Sequence, residues 1–112
     1  MRVTKDLQAK DFNGLCFVNL VDFDMKYGHR NDVDGYAKAV AEFDAWLPTF
    51  MNDMKADDVL MITSDHGCDP LTPSTDHSRE YIFLLATGKM LKENVNLCTL
   101  DGYSDISATI LE

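Results

Sequence analysis

Leu15-Cys-Phe-Val-Asn-Leu-Val21 and Val59-Leu-Met-Ile-Thr63, with the stretch from Tyr36 to Met54 between them, decide the fold. Each outer run is short and apolar and is bounded by glycine or acidic residues, the pattern of a strand buried on both faces. Between them Tyr36, Val40, Phe43, Leu47, Phe50, Met51 and Met54 recur at intervals of three and four. That spacing predicts an amphipathic helix over about 34–54, with cap oxygens from Asn31, Asp32 and Asp34 and a kink at Pro48. Trp46 falls off this apolar stripe. Strand, helix and strand in that order predict a right-handed parallel crossover.

Working outward, residues 1–11 are polar and weakly helical. Tyr81-Ile-Phe-Leu-Leu-Ala86 reads as a third strand in the same sheet, stopped by Thr87-Gly88. Ser104 reads as the cap of a last helix, from Asp105 to about Leu111. The fold class is α/β, part of a doubly wound, mostly parallel sheet. Three strands leave two open edges and a bare face. The chain is therefore expected either to belong to a larger domain or to cover its edges as a homo-oligomer.

With 112 residues, 46% hydrophobic and 26% charged, the composition is that of a globular chain and not of a disordered one. No apolar run approaches the ~20 residues of a membrane span, and Met1-Arg-Val-Thr-Lys-Asp lacks the apolar core of a signal peptide. Cys16, Cys68 and Cys98 are an odd number without framework spacing, which points to a reducing, cytoplasmic setting. Ten basic residues against nineteen acidic ones, with no basic cluster, argue against nucleic acid as a partner. The acids comprise fifteen Asp and four Glu. Asp favours caps and turns, and it is also a metal ligand.

In open α/β sheets, sites form beyond the carboxyl ends of strands. The three histidines all fall in such loops, each near an aspartate: Asp24 with His29, Asp65 with His66, and Asp76 with His77. Taken singly, Asp65 could be a helix cap and Asp24 a loop cap. Convergence of three loops, each carrying carboxylate and imidazole, points instead to a site for Mn²⁺, Zn²⁺ or Fe²⁺, which this donor set suits better than Ca²⁺ or Mg²⁺. Asp22 and Asp76 are candidate acceptors for imidazole N–H groups. Arg79 could grip a phosphate or pair with an acid. Cys68 could be a soft ligand, although three histidines already meet the need.

Phe23-Asp24-Met-Lys-Tyr-Gly-His-Arg-Asn-Asp-Val-Asp-Gly-Tyr36, Ser64-Asp-His-Gly-Cys-Asp-Pro70 and Pro73-Ser-Thr-Asp-His-Ser-Arg-Glu-Tyr81 resemble the phosphopentomutase family of the alkaline phosphatase superfamily. The Asp-His-Gly element marks the superfamily; the other two stretches are more specific to the mutases. The resemblance covers about Asp11 to Glu112, and Phe83 stands where the family usually has proline. It implies an alkaline-phosphatase-like core, with residues 1–112 as its C-terminal part. It also implies two Mn²⁺ ions, a phosphorylated pentose as substrate, and transfer of phosphate between C1 and C5 of ribose or deoxyribose. Carried over by motif, Asp24, His29 and His77 would hold one ion, and Asp65 and His66 the other. The family's nucleophilic threonine, a further aspartate for the second ion and the substrate-binding cap domain have no counterpart in these residues. The chain alone is therefore expected to be inactive. A metal-dependent phosphatase, another phosphomutase of the superfamily, or a non-catalytic metal-binding fragment are the alternatives.

Overall fold

A computed structural model describes residues 1–111; Glu112, where the resemblance ends, lies outside them. The elements in chain order are α1 (Arg2–Gln8), a π-helical turn (Phe23–Tyr27) running into a 3₁₀ turn (Gly28–Arg30), α2 (Val33–Met51), β1 (Leu60–Thr63), β2 (Leu84–Thr87) and α3 (Ser104–Leu111). No helix among the described residues is long and apolar enough to cross a membrane.

Helix α2 follows from the periodicity. Asp32 caps it, its carboxylate accepting from the Gly35 N–H at 2.9 Å. Asn31 and Asp34 are not the cap. Pro48 lies inside the helix, which runs on through it to Met51. Proline is tolerated here because one turn remains, and the N–H groups of that turn still find acceptors, Asn52 bonding the Pro48 carbonyl at 3.0 Å. Side chains of α1 bind the last carbonyls of α2: Lys5 Nζ donates to Thr49 O at 3.1 Å and Gln8 Nε2 to Phe50 O at 2.9 Å. Phe50 O also accepts from the Asp53 N–H at 3.1 Å, so α1 adds to the closing of this end. Asp32→Ala removes the opposite cap and is expected to cost about 1 kcal/mol, read as a lower midpoint in urea unfolding followed at 222 nm.

The sheet differs from the expectation. β1 and β2 pair antiparallel, in the register Leu60↔Thr87, Met61↔Ala86, Ile62↔Leu85 and Thr63↔Leu84. The third apolar run thus joins the sheet with Val59–Thr63, but only from Leu84 onward. Tyr81 is 91% exposed. The first run, Leu15–Val21, enters no ladder among the described residues, and Phe17 is 83% exposed. The parallel crossover is therefore not formed. A doubly buried parallel strand needs cover on both faces and a partner along its edge. α2 lines only one side of the small sheet, where Leu47 and Met51 face Leu60, Ile62 and Leu85 across a cavity of about 210 Å³. Trp46, expected off the stripe, packs between Phe43 and Phe50 at ring distances of 5.8 and 5.2 Å. Ser104 is the first residue of α3 and not a cap before it.

No hydrophobic side chain among the described residues is fully buried. The accessible surface is 9009 Å², against roughly 6200 Å² expected for a compact monomer of this mass. The radius of gyration is 15.5 Å, against about 13 Å for a compact chain of this length. Much apolar surface therefore stands uncovered.

Candidate metal centre

Asp24 and His29 are presented by the turn that follows Leu15–Val21. Its five residues Phe23–Tyr27 form a single π-type turn, a geometry that recurs at functional sites. Phe23 anchors the turn, packing edge-on against Tyr36 and Phe43 of α2 at 6.1 and 6.2 Å. Gly28, buried, lets the turn approach the neighbouring loop: a Cβ there would lie 2.6 Å from Cys68 Sγ.

His66 and His77 come from the long loop between the strands. Gly67, also buried, bridges Ser78, whose N–H donates to the Gly67 carbonyl at 3.1 Å. Residues eleven apart in the chain are thereby clasped, and the two imidazoles stack with centroids 3.5 Å apart and planes 13° apart. The Tyr103 hydroxyl, just before α3, reaches the carbonyls of Asp65 at 2.6 Å and Ser64 at 3.0 Å, fixing the chain beyond β1.

Asp24, His29 and His77 each bring a donor atom within 4.8 Å of the others. Asp24 is the pivot. His29 Nε2 lies 3.1 Å from its Oδ2, and His77 Nε2 and His66 Nε2 lie 3.7 and 3.9 Å from its Oδ1. Its side chain is 28% exposed. His29 Nδ1 meets the Thr75 carbonyl at 2.5 Å, and His66 Nδ1 meets the Gly67 carbonyl at 2.9 Å. A carbonyl only accepts, so each Nδ1 carries the proton. In a neutral ring Nε2 then bears a lone pair, and in both residues it faces carboxylate oxygen. Lone pairs aimed at one point repel, and either a proton on Nε2 or a metal cation between them removes the repulsion. Imidazoles oriented by a carbonyl behind the ring are the usual arrangement of metal ligands. The donor set thus fits a divalent transition metal.

The other candidates are not members of the group formed by Asp24, His29 and His77. The Asp65 side chain is 81% exposed and lies 3.6 Å from His66 Nε2, outside the three-residue group. Asp22 pairs with Lys26 at 2.7 Å, which holds the ammonium above its usual range through that hydrogen bond and charge. Asp76 and Arg79 are exposed, and Arg79 forms no ion pair among the described residues. Burial, and then the charge of Asp24, push the Cys68 thiol up. Burial likewise raises the Tyr36 phenol beside it. A thiol held neutral is a poor ligand. The carbonyls of Thr75 and Gly67, which accept from the His29 and His66 Nδ1–H groups, leave no mark in a sequence.

The chain is similar to three bacterial proteins named phosphopentomutase. It is 62% identical to that of Lachnoclostridium phytofermentans, 57% to that of Carboxydothermus hydrogenoformans and 59% to that of Kosmotoga olearia, each over 97% of this chain. Each alignment takes in 28% of the relative, so the chain spans little more than a quarter of their length. The family model of the metalloenzyme superfamily matches residues 1–112, a breadth of agreement that joins the carboxylate–imidazole cluster to a known lineage: the chain belongs to the metalloenzyme superfamily.

Proposed function

We propose that this chain is the C-terminal, metal-holding part of a phosphopentomutase core domain with an alkaline-phosphatase-like, doubly wound sheet. The reaction is transfer of phosphate between C1 and C5 of ribose or deoxyribose, with two Mn²⁺ ions. The observation that carries this reading is the Asp24 carboxylate ringed by three Nε2 atoms, two of them with Nδ1 held by a main-chain carbonyl. The relatives' name supplies the substrate class. The uncovered apolar surface supports the larger domain.

Asp24, His29 and His77 would hold one ion; Asp65 and His66 would contribute to the other. Bound there, divalent ions supply positive charge that reverses the negative potential of the Asp-rich loops and stabilises charge on a phosphoryl group. The protein's part is orientation. The Thr75 and Gly67 carbonyls fix the tautomers, and the Gly67–Ser78 clasp aligns His66 with His77. None of the residues brought together is a nucleophilic hydroxyl, so the phosphoryl-accepting group is assigned outside these residues. The three-ligand group is the tighter site, and Asp65 with His66 alone holds an ion weakly.

The test is calorimetric titration of the purified chain, followed by an assay for conversion of ribose 1-phosphate to the 5-phosphate. Mn²⁺ and Zn²⁺ are expected to bind and Ca²⁺ not to, because a mixed set of one carboxylate and two imidazoles suits the first two better than an ion that takes about six to eight oxygens; no turnover is expected. Preferential Ca²⁺ binding would overturn the metal assignment. Isomerisation by the chain alone would overturn the placement of the nucleophile, and release of inorganic phosphate would identify a phosphatase instead.

A further inference from the structure

We infer that Asn31 is a positioning residue that sets His77 against Asp24 by gripping the loop that carries it; this rests on the metal assignment of Asp24, His29 and His77. Asn31 ends the 3₁₀ turn in the left-handed region, with φ 51°. Asparagine tolerates that conformation better than most residues. It turns the side chain toward the 70–75 loop, where Nδ2 donates to Thr72 O at 2.6 Å and to Pro70 O and Ser74 O at 3.2 Å. Three carbonyls on alternate residues thus converge on one amide nitrogen.

The chemistry selects the residue. Three carbonyl oxygens present only lone pairs, so the group between them must donate. The amide NH₂ supplies two protons, one of them shared between two of the three oxygens, without a charge to desolvate. An aspartate there would face acceptors with an acceptor. The contact sits two residues from His29, whose Nδ1 holds the next carbonyl of the same loop, that of Thr75. Together they join the turn to the loop across about forty residues of sequence. The loop's other bonds stay within the segment between the strands, among them Leu71 N to Asp69 Oδ1, Thr72 Oγ1 to Asp69 O, Asp76 N to Ser74 Oγ and Asp69 N to Ser78 Oγ. Those bonds shape the loop without attaching it to the turn. His77 is 51% exposed at its side chain, so packing does little to hold it. The Ser78 clasp fixes His77 relative to His66, and the Asn31 grip fixes it relative to His29 and Asp24.

The experiment uses the full chain, its three histidine ring signals resolved by NMR, and Asn31→Gly. Glycine accepts the positive φ, so the turn survives and only the amide is lost. Without metal, the His29 and His77 rings, 5.0 Å apart, are expected to show a mutual Overhauser effect that Asn31→Gly abolishes while the His66–His77 effect remains. With Mn²⁺ added, His29 and His77 are expected to broaden together in the unaltered chain. In Asn31→Gly, His77 should lag behind His29, with affinity lower by about 10- to 100-fold, the usual range for losing an outer support. Asn31→Asp, nearly the same shape, is expected to behave like Asn31→Gly, and helicity at 222 nm checks that both remain folded. Retention of the His29–His77 effect in Asn31→Gly would overturn the assignment of Asn31. Failure of the unaltered chain to bind Mn²⁺ at His29 and His77, with the metal-free result as expected, would overturn the metal assignment and leave the positioning role standing.

Discussion

Asp24→Asn is expected to abolish tight divalent-metal binding while leaving thermal unfolding nearly unchanged. The Asp24 carboxylate faces the Nε2 atoms of His29, His66 and His77 within 3.9 Å, so one substitution removes the sole anionic member of the three-residue group. An amide of the same shape keeps the packing, but it takes away the charge and replaces a strong oxygen donor with a weak one. The loss should exceed about 100-fold, beyond what outer-support changes produce; titration calorimetry with Mn²⁺ measures it. A second readout follows from Cys68. Burial is the larger cause of its raised thiol and the charge of Asp24 the next. Negative charge nearby disfavours the thiolate, so removing it lets the thiol ionise at lower pH, though burial keeps it above the ordinary range. Alkylation of Cys68 at mildly alkaline pH is expected to be faster in Asp24→Asn than in the unaltered chain. Slower alkylation, or unchanged Mn²⁺ affinity, would show that Asp24 does not sit where the structure puts it.

Gly67→Ala is expected to be the most disruptive small substitution. A Cβ at Gly67 would lie 2.7 Å from both Glu80 N and Ser78 O. These are main-chain atoms that cannot rotate away, so the clasp between residues 67 and 78 must open. Overpacking of this kind costs about 1–3 kcal/mol. Opening the clasp also separates His66 from His77 and withdraws His77 from the metal group, so Mn²⁺ affinity should fall at least about 10-fold. The Ser78 amide, which now donates to Gly67 O at 3.1 Å, should exchange its hydrogen faster. Gly28→Ala is the contrast. Its Cβ would meet the Cys68 sulfur at 2.6 Å, a side-chain atom that can turn aside, and the effect on Ser78 exchange should be smaller. Equal exchange in Gly67→Ala and the unaltered chain would mean that the clasp is not what aligns the two rings.

Features that depend on near neighbours are readable from the order of residues. α2 was legible because an apolar residue every third or fourth position fixes a helical face, and the cluster Asp32-Val-Asp-Gly35 starts a helix. Its exact cap was not, since Asn31, Asp32 and Asp34 offer similar oxygens and only backbone geometry separates them. α3 and the cores of both strands were legible as short runs between breakers. The family resemblance implies Asp24, His29 and His77 as one ligand set, and the structure brings these three together. Features that turn on partners distant in the chain follow from the packing of the whole molecule. A run such as Leu15–Val21 has strand character but forms a ladder only if another strand lies beside it, and among the described residues none does. β2 runs antiparallel to β1 because the clasped loop from Ser64 to Phe83 returns the chain along the same edge, a path no local pattern encodes. Asp65 and His66, adjacent in sequence, differ in exposure: the Asp65 side chain is 81% exposed and that of His66 22%, with His66 Nε2 3.6 Å from Asp65 Oδ1 and 3.9 Å from Asp24 Oδ1. The groups that orient the imidazoles are the main-chain carbonyls of Thr75 and Gly67. Every residue has a carbonyl, so only the path of the chain determines which ones meet a ring nitrogen.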